Sequence, residues 1–274
     1  MSADNPWIVC PQPKRQARLR LFCIPYAGGG ASVFRTWAAH FPQEVEVCAI
    51  QLPGRENRLR ETPFTSMQEI VQALTRAIGS YLRPLPFAFF GHSMGGLIAF
   101  ELARYLCIHT DFNPAFLFVS GCRAPQLPNP HPLVYNLPPA EFLKRIREFQ
   151  GTPEAVLQNA ELMQLLVPLL QADLTVFETY TYTPGSRLDC PISAFGGRED
   201  SEVSYEELKA WDDQTSQAFH LRMFPGNHFF LQNARLALLH AISQDLMKYL
   251  REVGEIEASS LENEQAPLFS GEGS

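Results

Sequence analysis

The 274-residue chain predicts an α/β fold: a mostly parallel central sheet flanked by helices, with a helical insertion late in the chain. Three observations predict it. Short apolar runs alternate with segments of helical periodicity from residue 18 onward. The run Pro86, Phe87, Ala88, Phe89, Phe90 is apolar throughout, as a strand covered on both faces requires. That run leads into Gly91-His92-Ser93-Met94-Gly95, and helical periodicity resumes at Leu97. Strand, sharp turn and helix in this order form the setting of a nucleophile elbow, in which a strained turn pushes a serine hydroxyl clear of the sheet. A G-x-S-x-G pentapeptide alone would occur by chance in roughly one chain in ten of this length, so its context carries the reading.

Each element follows in order. Residues 1–17 hold Pro6, Pro11 and Pro13 and predict an irregular arm, pinned by Trp7 and Ile8. Residues 18–24 read as a strand that runs into Pro25-Tyr26-Ala27-Gly28-Gly29-Gly30, a loop whose glycines free the backbone to aim amides at a ligand. A helix is expected over 31–40, a strand over 45–51, a polar loop over 52–58 and a helix over 66–82. After the elbow helix, 115–120 is a strand that ends before Pro125, Pro128, Pro130 and Pro132. From residue 123 to about 184 the pattern is helical, with amphipathic runs over 139–149 and 153–180, and it reads as an inserted lid over about 124–184. Its apolar face, Met163, Leu165, Leu166, Leu169, Leu170, Leu174 and Phe177, can pack on the sheet or line a substrate channel. A strand over 191–195, the turn Gly196-Gly197-Arg198-Glu199-Asp200, a helix over 205–211, a strand over 219–224, the loop Pro225-Gly226-Asn227-His228 and a helix over 233–251 complete a domain spanning 1–250. Residues 251–274 are acidic and small and are expected to form a disordered tail.

Composition narrows the function classes. Hydrophobic residues make up 46% and charged residues 19%, enough for a large core. A net charge of -7 without a concentrated basic face argues against nucleic-acid binding. The six cysteines show neither C-x-x-C pairing nor zinc spacing and read as buried free thiols. No basic start precedes an apolar core, and no stretch reaches the roughly 18 apolar residues of a membrane span, so a cytoplasmic protein without membrane contact is expected.

A serine hydroxyl needs a base within hydrogen-bond reach, and that base needs an orienting carboxylate. In α/β-hydrolases these follow in the order Ser, Asp or Glu, His, on loops at the C-terminal ends of strands. Of the histidines after the elbow, His220 opens a strand, His240 lies in a helix, and His109 and His131 precede the acid's position, which leaves His228. Asp200 follows a strand and a Gly-Gly turn. Asp189 starts that strand, Asp212 and Asp213 lie in or after a helix, Asp173 belongs to the lid as a solvated charge or a pocket acid, and Glu199 adjoins Asp200. The candidates are therefore Ser93 as nucleophile, His228 as base and Asp200 as its orienter. The amides of Met94 and Ala27 form the oxyanion hole, and His92 serves as elbow scaffolding. No metal or organic cofactor is called for, because a triad and two amides suffice for acyl hydrolysis with water as co-substrate.

Residues outside the triad choose among esterases, lipases, peptidases and thioesterases. The segments Pro25-Tyr26-Ala27-Gly28-Gly29, Leu52-Pro53-Gly54-Arg55-Glu56, Gly91-His92-Ser93-Met94-Gly95-Gly96 and Phe224-Pro225-Gly226-Asn227-His228-Phe229 resemble those of type II thioesterases, the stand-alone editing enzymes of polyketide and nonribosomal peptide synthesis. The resemblance spans about residues 18–250 and includes Gly151-Thr152-Pro153 and Asp173 in the lid. It departs at Tyr26, where the family often carries His, and at Asn227, where it often carries Gly. The resemblance implies hydrolysis of acyl or aminoacyl groups from the phosphopantetheine arm of acyl-loaded carrier protein domains. A monomer is the default expectation. Arg55, Arg58 and Arg60, or Lys144, Arg145 and Arg147, are candidate docking charges for an acidic carrier, with a solvated face as the alternative. A medium-chain fatty acyl thioesterase acting on fatty-acid synthase, a general carboxylesterase and a non-catalytic binder are the rival readings.

Overall fold

The computed structural model describes residues 5–264, with side chains as far as 255. Seven strands, β1 (Ile8–Val9), β2 (Leu19–Ile24), β3 (Val45–Ile50), β4 (Phe87–His92), β5 (Phe116–Ser120), β6 (Ile192–Gly197) and β7 (Phe219–Phe224), form one sheet in the order β1-β3-β2-β4-β5-β6-β7. The helices are α1 (Met67–Ile78), α2 (Met94–His109), α3 (Pro139–Glu148), α4 (Glu154–Leu157), α5 (Ala160–Glu178), α6 (Tyr205–Lys209), α7 (Phe230–Asn233) and α8 (Arg235–Glu264). From β3 to β7 every pairing is parallel, and β1 alone runs antiparallel, against β3. The register sets Ile24 beside Gly91 and His92 beside Ser120, so the loops after β2, β4 and β5 open at one end of the sheet.

Every residue of β3, β4, β5 and β6 is buried, the pattern of strands covered on both faces. Because side chains alternate along a strand, neighbours enter opposite cores. Phe89 joins Phe22, Ile98, Leu102, Leu117 and Trp211 on the side of α1 and α2. Phe90 joins Phe34, Trp37, Phe118, Phe195 and Leu238 on the side of α8. The insertion between β5 and β6 carries α3, α4 and α5 and has a small core of its own, Val134, Phe142, Ile146, Leu170 and Leu174.

Several expected elements differ. The arm contains β1, held also by the Gln51 amide donating to the Trp7 carbonyl at 2.9 Å; two residues leave no periodicity to read. The helix expected over 31–40 is two 3₁₀ turns, Ala31–Phe34 and Trp37–His40. A three-residue period puts Phe34 and Trp37 on one face, where both are buried and meet edge to face at 4.9 Å. The helical run expected over 153–180 is broken before Ala160, because the Asn159 side chain accepts from the Leu162 amide and caps α5. The last helix, expected to end near 251, continues to Glu264, into the segment expected as a tail; residues 265–274 of that tail lie outside the described residues. The cysteines are free, but Cys10 and Cys107 are half-buried instead of buried. Helix α5 reaches a mean hydropathy of 1.3 and is long and apolar enough to cross a membrane by length and composition alone, although Glu161, Gln164, Gln171 and Asp173 interrupt it. Its apolar character serves the protein's interior, since Leu169, Leu170 and Leu174 are buried and, with Leu165 and Leu166, line a cavity.

Candidate active site

The site is built on the ends of four parallel strands. Ser93 joins β4 to α2 with φ 52° and ψ -120°, a left-handed conformation that costs a residue with a Cβ and persists because the surroundings enforce it. A Cβ on Gly91 would strike the Gly95 carbonyl, and one on Gly95 would strike the Ile24 carbonyl, so the turn closes only with glycine at both positions. The Ser93 amide donates to the Ser120 carbonyl at 2.8 Å, which ties the elbow to the end of β5. The amide of Met94 opens α2 and has no hydrogen-bond partner among the described residues.

The loop after β2 supplies a second amide without a partner. Residues 26–29 form a turn closed by the Gly29 amide donating to the Tyr26 carbonyl at 2.9 Å, with Gly28 at φ 77°, the positive angle that a type II turn requires at its third residue. Three neighbouring amides are taken. Gly28 donates to Asp173 Oδ2 at 2.7 Å, Ala31 to Gln51 Oε1 at 2.8 Å and Ser32 to Glu56 Oε1 at 3.1 Å. The Ala27 amide has no partner among the described residues.

Asp200 lies in the loop after β6 and His228 in the loop after β7. The Glu199 amide donates to the Gly226 carbonyl at 3.0 Å and so binds the two loops together. His228 Nδ1 donates to Asp200 Oδ2 at 2.9 Å, and Asp200 Oδ1 accepts from the amides of Glu202 at 2.8 Å and Val203 at 3.2 Å. The Asp200 side chain is 0% exposed and that of His228 11%, so the carboxylate is closed to solvent and the ring nearly so. With Nδ1 protonated, Nε2 is the free base. Ser93, Met94, Ala27 and His228 line one cavity of about 450 Å³. Among the described residues no hydrogen bond joins Ser93 Oγ to the histidine, a contact that often tightens only when substrate is bound.

His92 lies under the histidine loop, with its ring 5.2 Å from that of His228 and Nδ1 hydrogen-bonded to Ser120 Oγ at 2.9 Å. Burial, then the charge His228 can carry, hold its imidazole well below the usual histidine range. The elbow histidine is therefore neutral packing, as expected of scaffolding. The residues that depart from the type II pattern both have work in this layer. Tyr26 packs edge-on against His92 at 5.8 Å and Phe229 at 5.0 Å. Asn227 donates to Gln150 Oε1 at 2.7 Å and accepts from the Phe229 amide at 3.0 Å, joining the histidine loop to the insertion.

The cavity wall opposite Ser93 comes from the insertion: Ile146, Phe149, Leu165, Leu166, Leu170 and Phe177 make it apolar. The Glu178 carboxylate accepts from the amides of Val134 at 2.7 Å and Tyr135 at 2.9 Å at its rim, and burial raises its pKa. Two of the candidate docking charges are corrected. Arg55 and Arg58 are 4% and 6% exposed; Arg55 pairs with Asp173, and Arg58 pairs with Glu61 and stacks 4.1 Å over the Trp7 ring. Arg145 is engaged by Glu202 at 3.0 Å, which leaves Arg60, Lys144 and Arg147 exposed. Asp173, left open between solvated charge and pocket acid, is 1% exposed and ion-paired. Arg55 and Asp173 are 118 residues apart in sequence, and no local signal announces their contact.

An elbow serine, a histidine–carboxylate pair and two open amides on loops at one end of a parallel sheet define the α/β-hydrolase class. Residues 19–246 match the family model of the thioesterase domain. The gramicidin S biosynthesis protein GrsT of Aneurinibacillus migulanus is 47% identical over 246 residues, covering 90% of this chain and 96% of the relative. The medium-chain S-acyl fatty acid synthase thioesterase of Rattus norvegicus is 32% identical over 230 residues, covering 81% and 85%. The solved structure of the type II thioesterase BorB from the borrelidin biosynthetic cluster superposes with a TM-score of 0.81 at 34% identity, covering 89% of this chain and 98% of that one. The chain belongs to the thioesterase family and is a thioester-hydrolysing enzyme of the type II, editing kind.

Proposed function

We propose that this enzyme hydrolyses acyl and aminoacyl groups from the phosphopantetheine arm of carrier protein domains, clearing aberrant or stalled chains in a polyketide or nonribosomal peptide pathway. Ser93 attacks the thioester carbonyl while His228 Nε2 takes its proton. The amides of Ala27 and Met94 hold the oxyanion, and Asp200 holds the imidazolium in place. His228 then protonates the departing thiolate, and water deacylates Ser93 by the same steps in reverse roles. The observation that carries this reading is that a left-handed serine, a carboxylate-bound histidine and two unpartnered amides face a single apolar cavity. Helices α3 to α5 act as the lid that admits the arm and holds the acyl chain. Arg60 and Lys144, with Arg147 exposed beside its partner Glu154, are the charges that meet an acidic carrier domain. The enzyme works as a cytoplasmic monomer away from membranes, with helix α5 seated on the body through the buried Asp173.

Intact-mass spectrometry of an acyl carrier protein loaded with acetyl, propionyl or octanoyl groups tests this. The parent enzyme removes the acyl mass and the Ser93→Ala variant leaves it. Similar rates across the three groups fit editing, and a steep preference for octanoyl would assign the enzyme to chain-length control. An arm left acylated by the parent would refute carrier hydrolysis.

A further inference from the structure

From the contacts around the oxyanion loop we infer that Arg55 and Asp173 are a positioning pair for the oxyanion hole, resting on the reading of Ser93 and Ala27 given above. The pair joins three elements that are far apart in sequence. Asp173 comes from α5 in the insertion, Arg55 from the loop after β3, and the turn between them follows β2. The contact is bidentate, with Arg55 Nη1 donating to Asp173 Oδ2 and Nη2 to Oδ1, each at 2.8 Å. Both side chains are nearly closed to solvent, at 4% and 2% exposure.

Each partner also grips the turn. Asp173 Oδ2 accepts the Gly28 amide at 2.7 Å, and Arg55 Nη1 donates to the Gly29 carbonyl at 3.0 Å. Those contacts fix the Ala27–Gly28 and Gly29–Gly30 peptide planes, and the Ala27 amide lies in the plane next upstream. Gln51 completes the brace, because its Nε2 donates to the Arg55 carbonyl at 3.0 Å while its Oε1 accepts the Ala31 amide. Of the turn amides at 27, 28 and 29, the last two are used inside the protein and the first is left pointing free.

Charge explains why both members are needed. A lone carboxylate beside the hole would repel the negative oxygen that develops there, and the guanidinium cancels it. Arg55 is thus required in two ways, as anchor and as counter-charge, and its loss does more harm than the loss of Asp173. The helix that walls the acyl cavity is also the helix that shapes the hole, because Leu170 and Asp173 lie one turn apart on α5 and both meet Gly28.

Removing one partner strands a buried charge and endangers folding, so the decisive variant replaces both, Arg55→Met with Asp173→Leu, which refills the space with apolar groups. Parent, Ser93→Ala, Asp173→Asn, Arg55→Met and the double variant are compared on an acyl-pantetheine thioester, together with melting temperature and the affinity of an alkyl boronic acid. That probe forms a B–O bond with Ser93 as the serine proton passes to His228, and it sets a boron-bound oxygen in the hole. The double variant is expected to melt within a few degrees of the parent, keep its KM, lose kcat by about tenfold to a hundredfold and bind the boronate correspondingly more weakly. A cooperatively melting double variant with parental kcat and boronate affinity would overturn the inference. Equal kcat losses for Asp173→Asn and Arg55→Met would overturn the counter-charge argument. A parent without activity, or an active Ser93→Ala variant, would instead overturn the assignment of Ser93.

Discussion

The sheet that carries the loops of Ser93, Asp200 and His228 and the insertion packed beside them are held in different ways. Strands β3 to β6 are buried along their whole length, and Phe22, Phe89, Phe90, Phe118 and Phe195 are 0% exposed between two packed layers. The insertion's own core cluster has five buried residues, and the insertion leaves Leu133, Leu162 and Leu165 at 43%, 43% and 54% exposure. A strained serine needs the first kind of support, since only surroundings without slack hold a φ of 52° against relaxation. The wall proposed to accept acyl groups of different lengths needs the second kind. The two regions touch the chemistry at separate points: the sheet carries Ser93, Asp200 and His228, and the insertion reaches Gly28 through Asp173 and His228's neighbour Asn227 through Gln150.

The largest effects should fall on the sheet. Asp200→Asn leaves His228 without its carboxylate and should lower kcat by about a hundredfold to ten-thousandfold with melting temperature nearly kept; steady-state kinetics that show a loss below tenfold would break the assignment of the acid. Next comes packing. Phe89→Ala opens a cavity at the centre of the sheet and should cost about 3–5 kcal/mol in urea unfolding. Phe142→Ala in the insertion should loosen α3 to α5 locally, with protection from hydrogen exchange lost there before the sheet is affected. Uniform loss of protection in both regions would merge them into one cooperative unit.

A smaller effect concerns His92, which is buried and kept neutral against Ser120, Tyr26, Phe229, Phe230 and the titratable His228. Its folded pKa lies below the unfolded value of about 6.5, so the unfolded state binds the extra proton. Its contribution is complete above that value and is lost as pH falls toward the folded one. Denaturation midpoints of the parent should therefore drop more steeply below about pH 6.5 than those of His92→Asn; parallel curves would mean that the ring is protonated in the fold. The smallest effect is predicted for Leu165→Ser. It should change stability by about 0.5 kcal/mol or less while raising KM for octanoyl more than for acetyl thioesters. Equal KM values for both would remove Leu165 from the acyl wall.

Much of the sheet was legible because each strand announces itself locally. The run 87–90 is apolar on both faces, and the glycines flanking Ser93 are demanded by contacts within the turn or with the adjacent β2. The loops bearing Asp200 and His228 could be ranked because chain order and strand ends confine the choice, and the structure brings these two within hydrogen-bond distance. What escaped depends on distant partners. Arg55 and Arg58 read as surface charge in a polar loop, and only the fold reveals Asp173 and Trp7 beside them. The 3₁₀ turns around Phe34 and Trp37 were hidden for the same reason, because docking against Phe90 at 6.1 and 4.8 Å selects them over an α-helix.

The central claim is that Ser93 is the acylated residue, held ready by the sheet. Its most direct test is peptide mapping by mass spectrometry after reaction with an alkyl fluorophosphonate, which transfers a phosphonyl group to an activated serine with loss of fluoride. The account predicts stoichiometric labelling on Ser93 that is lost in His228→Ala. Labelling at another residue, or none in an enzyme that still hydrolyses thioesters, would contradict it.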